Sequence, residues 1–147
     1  MFADRKSMKQ IATTADLDEM RSLPRALVFI FVNWAMQARR SDAACHEFLS
    51  TLKSEHQSKD IPVYRVDLSE QEGDIWMGFR SWLKDGGQPY DSLSYGGYGA
   101  LLWVRLGTVA AYVSYLAEIE CHKLMAMTRG AFELDAVSGV AGSNPLL

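Results

Sequence analysis

Two cysteines and four prolines in 147 residues leave little to staple or break this chain. Cys45 and Cys121 stand far apart, and neither belongs to a C-x-x-C pair. That spacing excludes a disulfide scaffold and a zinc ribbon, and makes a reducing cytoplasm the default location. An excess of positive charge is also missing. With 15 Lys and Arg against 18 Asp and Glu, the net charge is −3. Nucleic acid, which needs clustered basic side chains, is excluded as the main partner. Long hydrophobic runs are absent too. The longest uninterrupted apolar stretch, residues 26–32, is far short of the roughly 20 residues a membrane helix takes. No membrane span and no signal peptide are expected.

What remains is an ordinary globular mix, 48% hydrophobic and 22% charged. It suits one domain that needs no metal or disulfide to stand up. Residues 8–135 are expected to form that domain. Residues 1–7 and the small, uncharged stretch 136–147 are expected to be flexible.

Residues 8–12 suit a short edge strand. Thr13 with Asp16 is a capping-box pattern opening a helix whose face carries Leu17, Met20 and Leu23 and which Pro24 ends. Residues 25–33, RALVFIFVN, predict a strand buried on both faces. A long helix follows over 35–57, with Cys45, Phe48, Leu49 and Leu52 inward. Residues 61–67 predict a strand starting near Pro62. Ser69 with Glu72 reads as a second capping box, for a helix bearing Ile75, Trp76, Phe79, Trp82 and Leu83. Residues 85–99 read as loop. Residues 100–105 and 108–115 form an antiparallel hairpin around Leu106-Gly107. The last helix is expected over 118–132, with Cys121, Leu124, Met125 and Thr128 inward. This order, β-α-β-α-β-α-β-β-α, implies an α/β fold with a central mixed sheet and helices on both faces.

Two stretches resemble the thioredoxin family: ALVFIFVNWAMQA at 26–38 and YGALLWVRLGTV at 98–109. The first is similar to that family's central strand, Trp and C-x-x-C helix start. The second is similar to its cis-proline loop, fourth strand and hairpin turn. The resemblance implies a thioredoxin-like fold. It also implies a lost activity, because the two cysteine positions are Ala35 and Ala38, the buried carboxylate position is Phe29 and the cis-proline position is Gly99. Disulfide exchange needs a thiolate, which alanine cannot supply. No catalytic residue, cofactor or metal is therefore assigned.

The expected function is redox-inactive binding of a protein or peptide, in the manner of a chaperone or scaffold. The expected surface is the degenerate site: Trp34, Met36, Gln37, Tyr95, Tyr98 and Gly99. An enzyme acting at the Gly/Tyr-rich loop, or a homodimer burying the same patch, are the alternatives. Arg39 and Arg40, with Asp42 and Glu47 following, read as a solvated helix face. The two Cys-His pairs, Cys45-His46 and Cys121-His122, read as buried thiols beside surface imidazoles rather than a zinc site.

Overall fold

The computed structural model describes residues 8–32, 35–55, 58–68, 73–89 and 99–134. Strand β1 is Met8–Gln10. Helix α1, Thr14–Ser22, begins at a complete capping box. The Asp16 N–H donates to Thr13 Oγ1 at 3.1 Å, and Asp16 Oδ2 accepts from the Thr13 N–H at 3.1 Å. The helix stops at Leu23, since the ring of Pro24 disfavours helical backbone in the residue before it.

Strand β2, Arg25–Phe31, is followed by α2, Met36–Ser54, then β3, Val63–Asp67, and α3, Asp74–Asp85. Strands β4, Ala100–Arg105, and β5, Thr108–Val113, form the hairpin. A 3-10 turn, Leu116–Glu118, and α4, Cys121–Phe132, complete the described chain.

The sheet order is β1-β3-β2-β4-β5. Strands β1, β3 and β2 are parallel, while β4 and β5 run antiparallel. This is the mixed α/β architecture expected from the order of elements. Strand β2 lies in the middle, which explains its unbroken apolar run: both of its faces are covered. Ala26, Val28 and Ile30 join Leu17 and Met20 of α1 and Phe79, Trp82 and Leu83 of α3 in one core. Leu27 and Phe29 join Cys45, Phe48, Leu49 and Leu52 of α2 and Leu124, Met125 and Phe132 of α4 in the other. In that second core the Trp103 Nε1–H donates to the buried Thr128 hydroxyl at 2.9 Å. The hydroxyl in turn donates to the Leu124 carbonyl at 2.8 Å, so neither polar group is left unsatisfied.

The two-residue turn has φ of 49° at Leu106 and 80° at Gly107. Positive φ at both positions is the turn geometry whose twist matches the flanking strands. The carbonyl of Gly107 accepts from Trp82 Nε1 at 2.8 Å, which ties the turn to α3.

Several expected boundaries move. Helix α2 spans 36–54 rather than 35–57 because Glu55 is extended. Strand β2 ends at Phe31, and β3 starts at Val63, after a proline that has no N–H to give the ladder. Helix α3 begins at Asp74, after Gly73 with φ of 95°, and runs through Asp85, which was expected to open the loop. Ser69 and Glu72 lie outside the described residues. Strand β5 ends at Val113, short of the expected 115. The last helix starts at Cys121 rather than 118. The preceding turn is held elsewhere: the Leu116 N–H donates to the Gly99 carbonyl at 3.0 Å and the Ala117 N–H to Ser41 Oγ at 3.1 Å. The expected flexible segments 1–7 and 136–147 also lie outside the described residues.

Candidate functional site

The stretch from Ala35 to Ala38 turns from extended backbone into α2 at the C-terminal end of the parallel strands. Ala35 is the N-cap, with φ of −105° and ψ of 130°, and no side chain caps the helix. Ala38 is fully buried in the core shared with α1 and α3. Met36 is 65% exposed. Gln37, Arg39 and Arg40 are exposed beside it. The Arg40 guanidinium reaches back to Met36 Sδ at 3.9 Å, a weak donor–sulfur contact. Trp34, Tyr95 and Tyr98 lie outside the described residues. On α3, Met77 is 60% exposed, and the Arg80 guanidinium sits 5.6 Å from the centre of the Trp76 ring.

Gly99 lies against Ala38 and Ser41, in the first turns of α2. It is buried, with φ of 84°. A Cβ at that position would overlap the Ser41 side chain. Ser41 is fully buried and faces Gly99 from α2. Its Oγ accepts the Ala117 N–H, so one serine joins α2, the start of β4 and the 3-10 turn.

The thiols are placed away from this end. Cys45 is fully buried among apolar side chains. Burial pushes its pKa well above the ordinary thiol value, the Asp42 charge adds to the rise, and Arg65 opposes it. A neutral, enclosed thiol is not a nucleophile. Cys121 packs inward against the same core, as expected, but is only partly enclosed. As the first residue of α4 it is half-buried, and its Sγ donates to Thr51 Oγ1 at 3.5 Å. Both cysteines are free. His122 is exposed, 3.6 Å from Glu120. Among the described residues no three His, Cys, Asp or Glu side chains gather as metal ligands.

Asp42 corrects the solvated-face reading. It turns inward, with Oδ1 3.6 Å from Arg65 Nε and Oδ2 3.7 Å from His46 Nε2. The Arg65 guanidinium lies 4.2 Å over the Phe31 ring, a cation–π contact that fixes it against the sheet. With Met8 and Gln10 these side chains line a polar cavity of about 60 Å³. Asp42 Oδ1 and His46 Nδ1 are buried there with no hydrogen-bond partner among the described residues. His46 is accordingly half-buried rather than a surface imidazole. The signal in the sequence was Asp42 and His46 at helical i,i+4 spacing. Their partner on β3 could not be read from it.

At the opposite end of the sheet, Leu23, Pro24, Arg25, Asp60, Ile61 and Pro62 line an open apolar cleft of about 370 Å³. The sequence reading missed it as well. It is built from two loops far apart in the chain, each carrying a proline just before a strand.

Solved thioredoxins share this arrangement of sheet and helices. Thioredoxin O2 from Arabidopsis thaliana superposes with a TM-score of 0.57 at 13% identity, over 87% of this chain and 96% of that one. A mutant thioredoxin from Halobacterium salinarum NRC-1 gives 0.57 at 15% identity, over 88% and 95%. Fasciola hepatica thioredoxin gives 0.54 at 13% identity, over 84% and 99%. No protein-family model matches the chain, and neither does any curated protein. The class defined by sheet order and helix placement is the thioredoxin-like α/β fold. At these identities the likeness is one of fold.

Proposed function

We propose that this protein is a thioredoxin-fold binding module without redox chemistry. In this reading the helix start around Met36 holds a protein or peptide segment, with Gln37 beside it and Trp34, Tyr95 and Tyr98 completing the surface. The observation that carries the reading is the pairing of an exposed Met36 with Ala35 and Ala38. Where a dithiol would react, the chain offers an unbranched, polarizable side chain that adapts to irregular partners. The two free cysteines suit a reducing compartment such as the cytoplasm. No described helix is long and apolar enough to cross a membrane.

The test places a photo-crosslinking amino acid at position 36 and, as control, at exposed Lys53. Capture of the same protein or peptide from position 36 only, and its loss in Met36→Asp, is the expected result. Equal capture from both positions, or turnover in an insulin disulfide-reduction assay, overturns the reading.

A further inference from the structure

The cleft of about 370 Å³ at the end of the sheet opposite Met36 has two walls, Leu23-Pro24-Arg25 and Asp60-Ile61-Pro62. They are joined at the base, where the Leu27 N–H donates to the Pro62 carbonyl at 3.0 Å. Four apolar side chains thus lie between one cation and one anion. Neither Arg25 nor Asp60 forms an ion pair among the described residues. Beside the cleft is the place where α4 ends. Arg25 stands directly opposite Arg105 of β4, and the Leu106 N–H donates to the Pro24 carbonyl at 3.2 Å. Arg105 is bonded to Glu133 at 2.9 Å. Glu133 is left-handed, with φ of 55° and ψ of 42°. Its N–H donates to the Gly130 carbonyl at 3.4 Å, and the Leu134 N–H to the Arg129 carbonyl at 2.9 Å. These two bonds close the helix and turn the chain back, with Leu134 resting on the core shared by α2 and α4.

We propose that residues 135–147 dock in this cleft of their own chain, with Asp135 on Arg25 and the uncharged run AVSGVAGSNPLL along Leu23, Pro24, Ile61 and Pro62. Charge is the first reason for this occupant. Like charges directly opposite on neighbouring strands repel, and Glu133 answers Arg105 alone. Arg25 lies on the same face of β2 as Leu27, the face that α4 covers. Asp135 is two residues beyond Glu133 and is the one charged side chain in 134–147. Reach is the second reason. The segment leaves the fold at Leu134, beside Arg105, and the cleft begins one strand away, about 4.8 Å in the hydrogen-bonding direction. Thirteen residues extend up to about 43 Å, enough to run along both walls. The tether is the third. It holds the apolar Val137, Val140, Pro145 and Leu146 at an effective concentration of about millimolar, which no separate chain reaches. The cleft lies at the other end of the sheet from Met36 and does not depend on the proposed function.

The experiment places a photo-crosslinking amino acid at exposed Asp60 in the full purified chain, with Met36 as the control position, and maps the crosslinks by mass spectrometry. Crosslinks from position 60 into 136–147 are expected, at least about threefold above those from position 36. Arg25→Glu is expected to lower that yield about threefold, the worth of an exposed ion pair, and Arg25→Glu with Asp135→Arg to restore it. In an equimolar mixture of chains labelled with light and heavy nitrogen, both ends of each crosslink should carry the same label. Equal yields from positions 60 and 36 overturn the proposal. So does a yield untouched by Arg25→Glu, or crosslinks that join a light chain to a heavy one, which would make a second copy the occupant. Should Arg25→Glu fail to fold, Val140→Asp with Leu146→Asp decides. A lower yield from position 60 in that variant supports docking, and an unchanged yield overturns it.

Discussion

Gly99 and Ser41 meet so closely that a Cβ on Gly99 would occupy the space of the Ser41 side chain. The glycine is also at φ of 84°, where L side chains are strained. This contact stands at the position that the thioredoxin resemblance matches to proline. Restoring that proline should therefore harm the fold. Its ring fixes φ near −65°, and its atoms collide with α2. Gly99→Pro is expected to destabilise by about 2–4 kcal/mol, adding the backbone conflict to overpacking. Urea denaturation measures it. A Gly99→Pro variant as stable as wild type would mean that Ser41 moves aside freely.

Met36→Asp separates stability from binding. The side chain is exposed at a helix start, so the midpoint of thermal unfolding should change little, within about 0.5 kcal/mol. Binding to whatever is captured at position 36 should weaken by at least about 1 kcal/mol if the methionine anchors the partner. A variant that unfolds would place Met36 in the core, against its exposure.

The two thiols should label at different rates. Cys45 is enclosed and its thiolate is disfavoured by burial, so it should react only after denaturation. Cys121, half-buried at the start of α4, should react slowly but measurably in the native protein. Mass spectrometry after a timed pulse of iodoacetamide checks the order. Labelling of Cys45 ahead of Cys121 would contradict the packing of α2.

Acid should loosen the N-terminal third of the molecule. The Asp16 carboxyl is held below the usual carboxylate range by the Ala12 N–H, and Thr13 adds to the effect. The Glu19 carboxyl is held down by the Lys9 ammonium and by the Tyr64 hydroxyl, which donates to it at 2.7 Å. The same pair, seen from Tyr64, has its hydroxyl pKa pushed up to about 12, by burial first and by Glu19 next. Each depressed carboxylate supplies stability that is complete above its unfolded pKa and lost as pH falls through the lower folded one. Stability should therefore decline as pH drops below about 4, the ordinary carboxylate range. Asp16→Asn with Glu19→Gln should flatten that decline. An unchanged slope in the double variant, followed by chemical denaturation from pH 5 to pH 2, would show that other carboxylates dominate.

What the sequence made legible was set by neighbours in the chain. The unbroken run in β2, the Leu106-Gly107 turn and the Thr13–Asp16 box each encode their structure within a few residues, and each forms where expected. The fold class followed from their order. Pairings across the fold were not legible. Asp42 looked like a surface charge because Arg65, which draws it inward, sits on another element. Gly99 looked like a loop residue because Ser41 lies on α2. The second capping pattern, Ser69 with Glu72, lies outside the described residues, and the described helix begins at Asp74 behind Gly73. Of the candidate surface, the helix start with Met36 and Gln37 was legible. Trp34, Tyr95 and Tyr98 fall outside the described residues.

Strand β2 is a partition between two unlike cores. Leu27 and Phe29 stand toward α2 and α4, while Ala26, Val28 and Ile30 stand toward α1 and α3. Because side chains alternate strictly, sliding the strand by one residue would exchange the two sets. Phe29 would be driven into space shaped for valine, and the opposite core would be left with a void. One inserted residue inside 26–30 thus damages both halves of the molecule together. The parity of this strand, more than any single contact, is what the chain cannot vary.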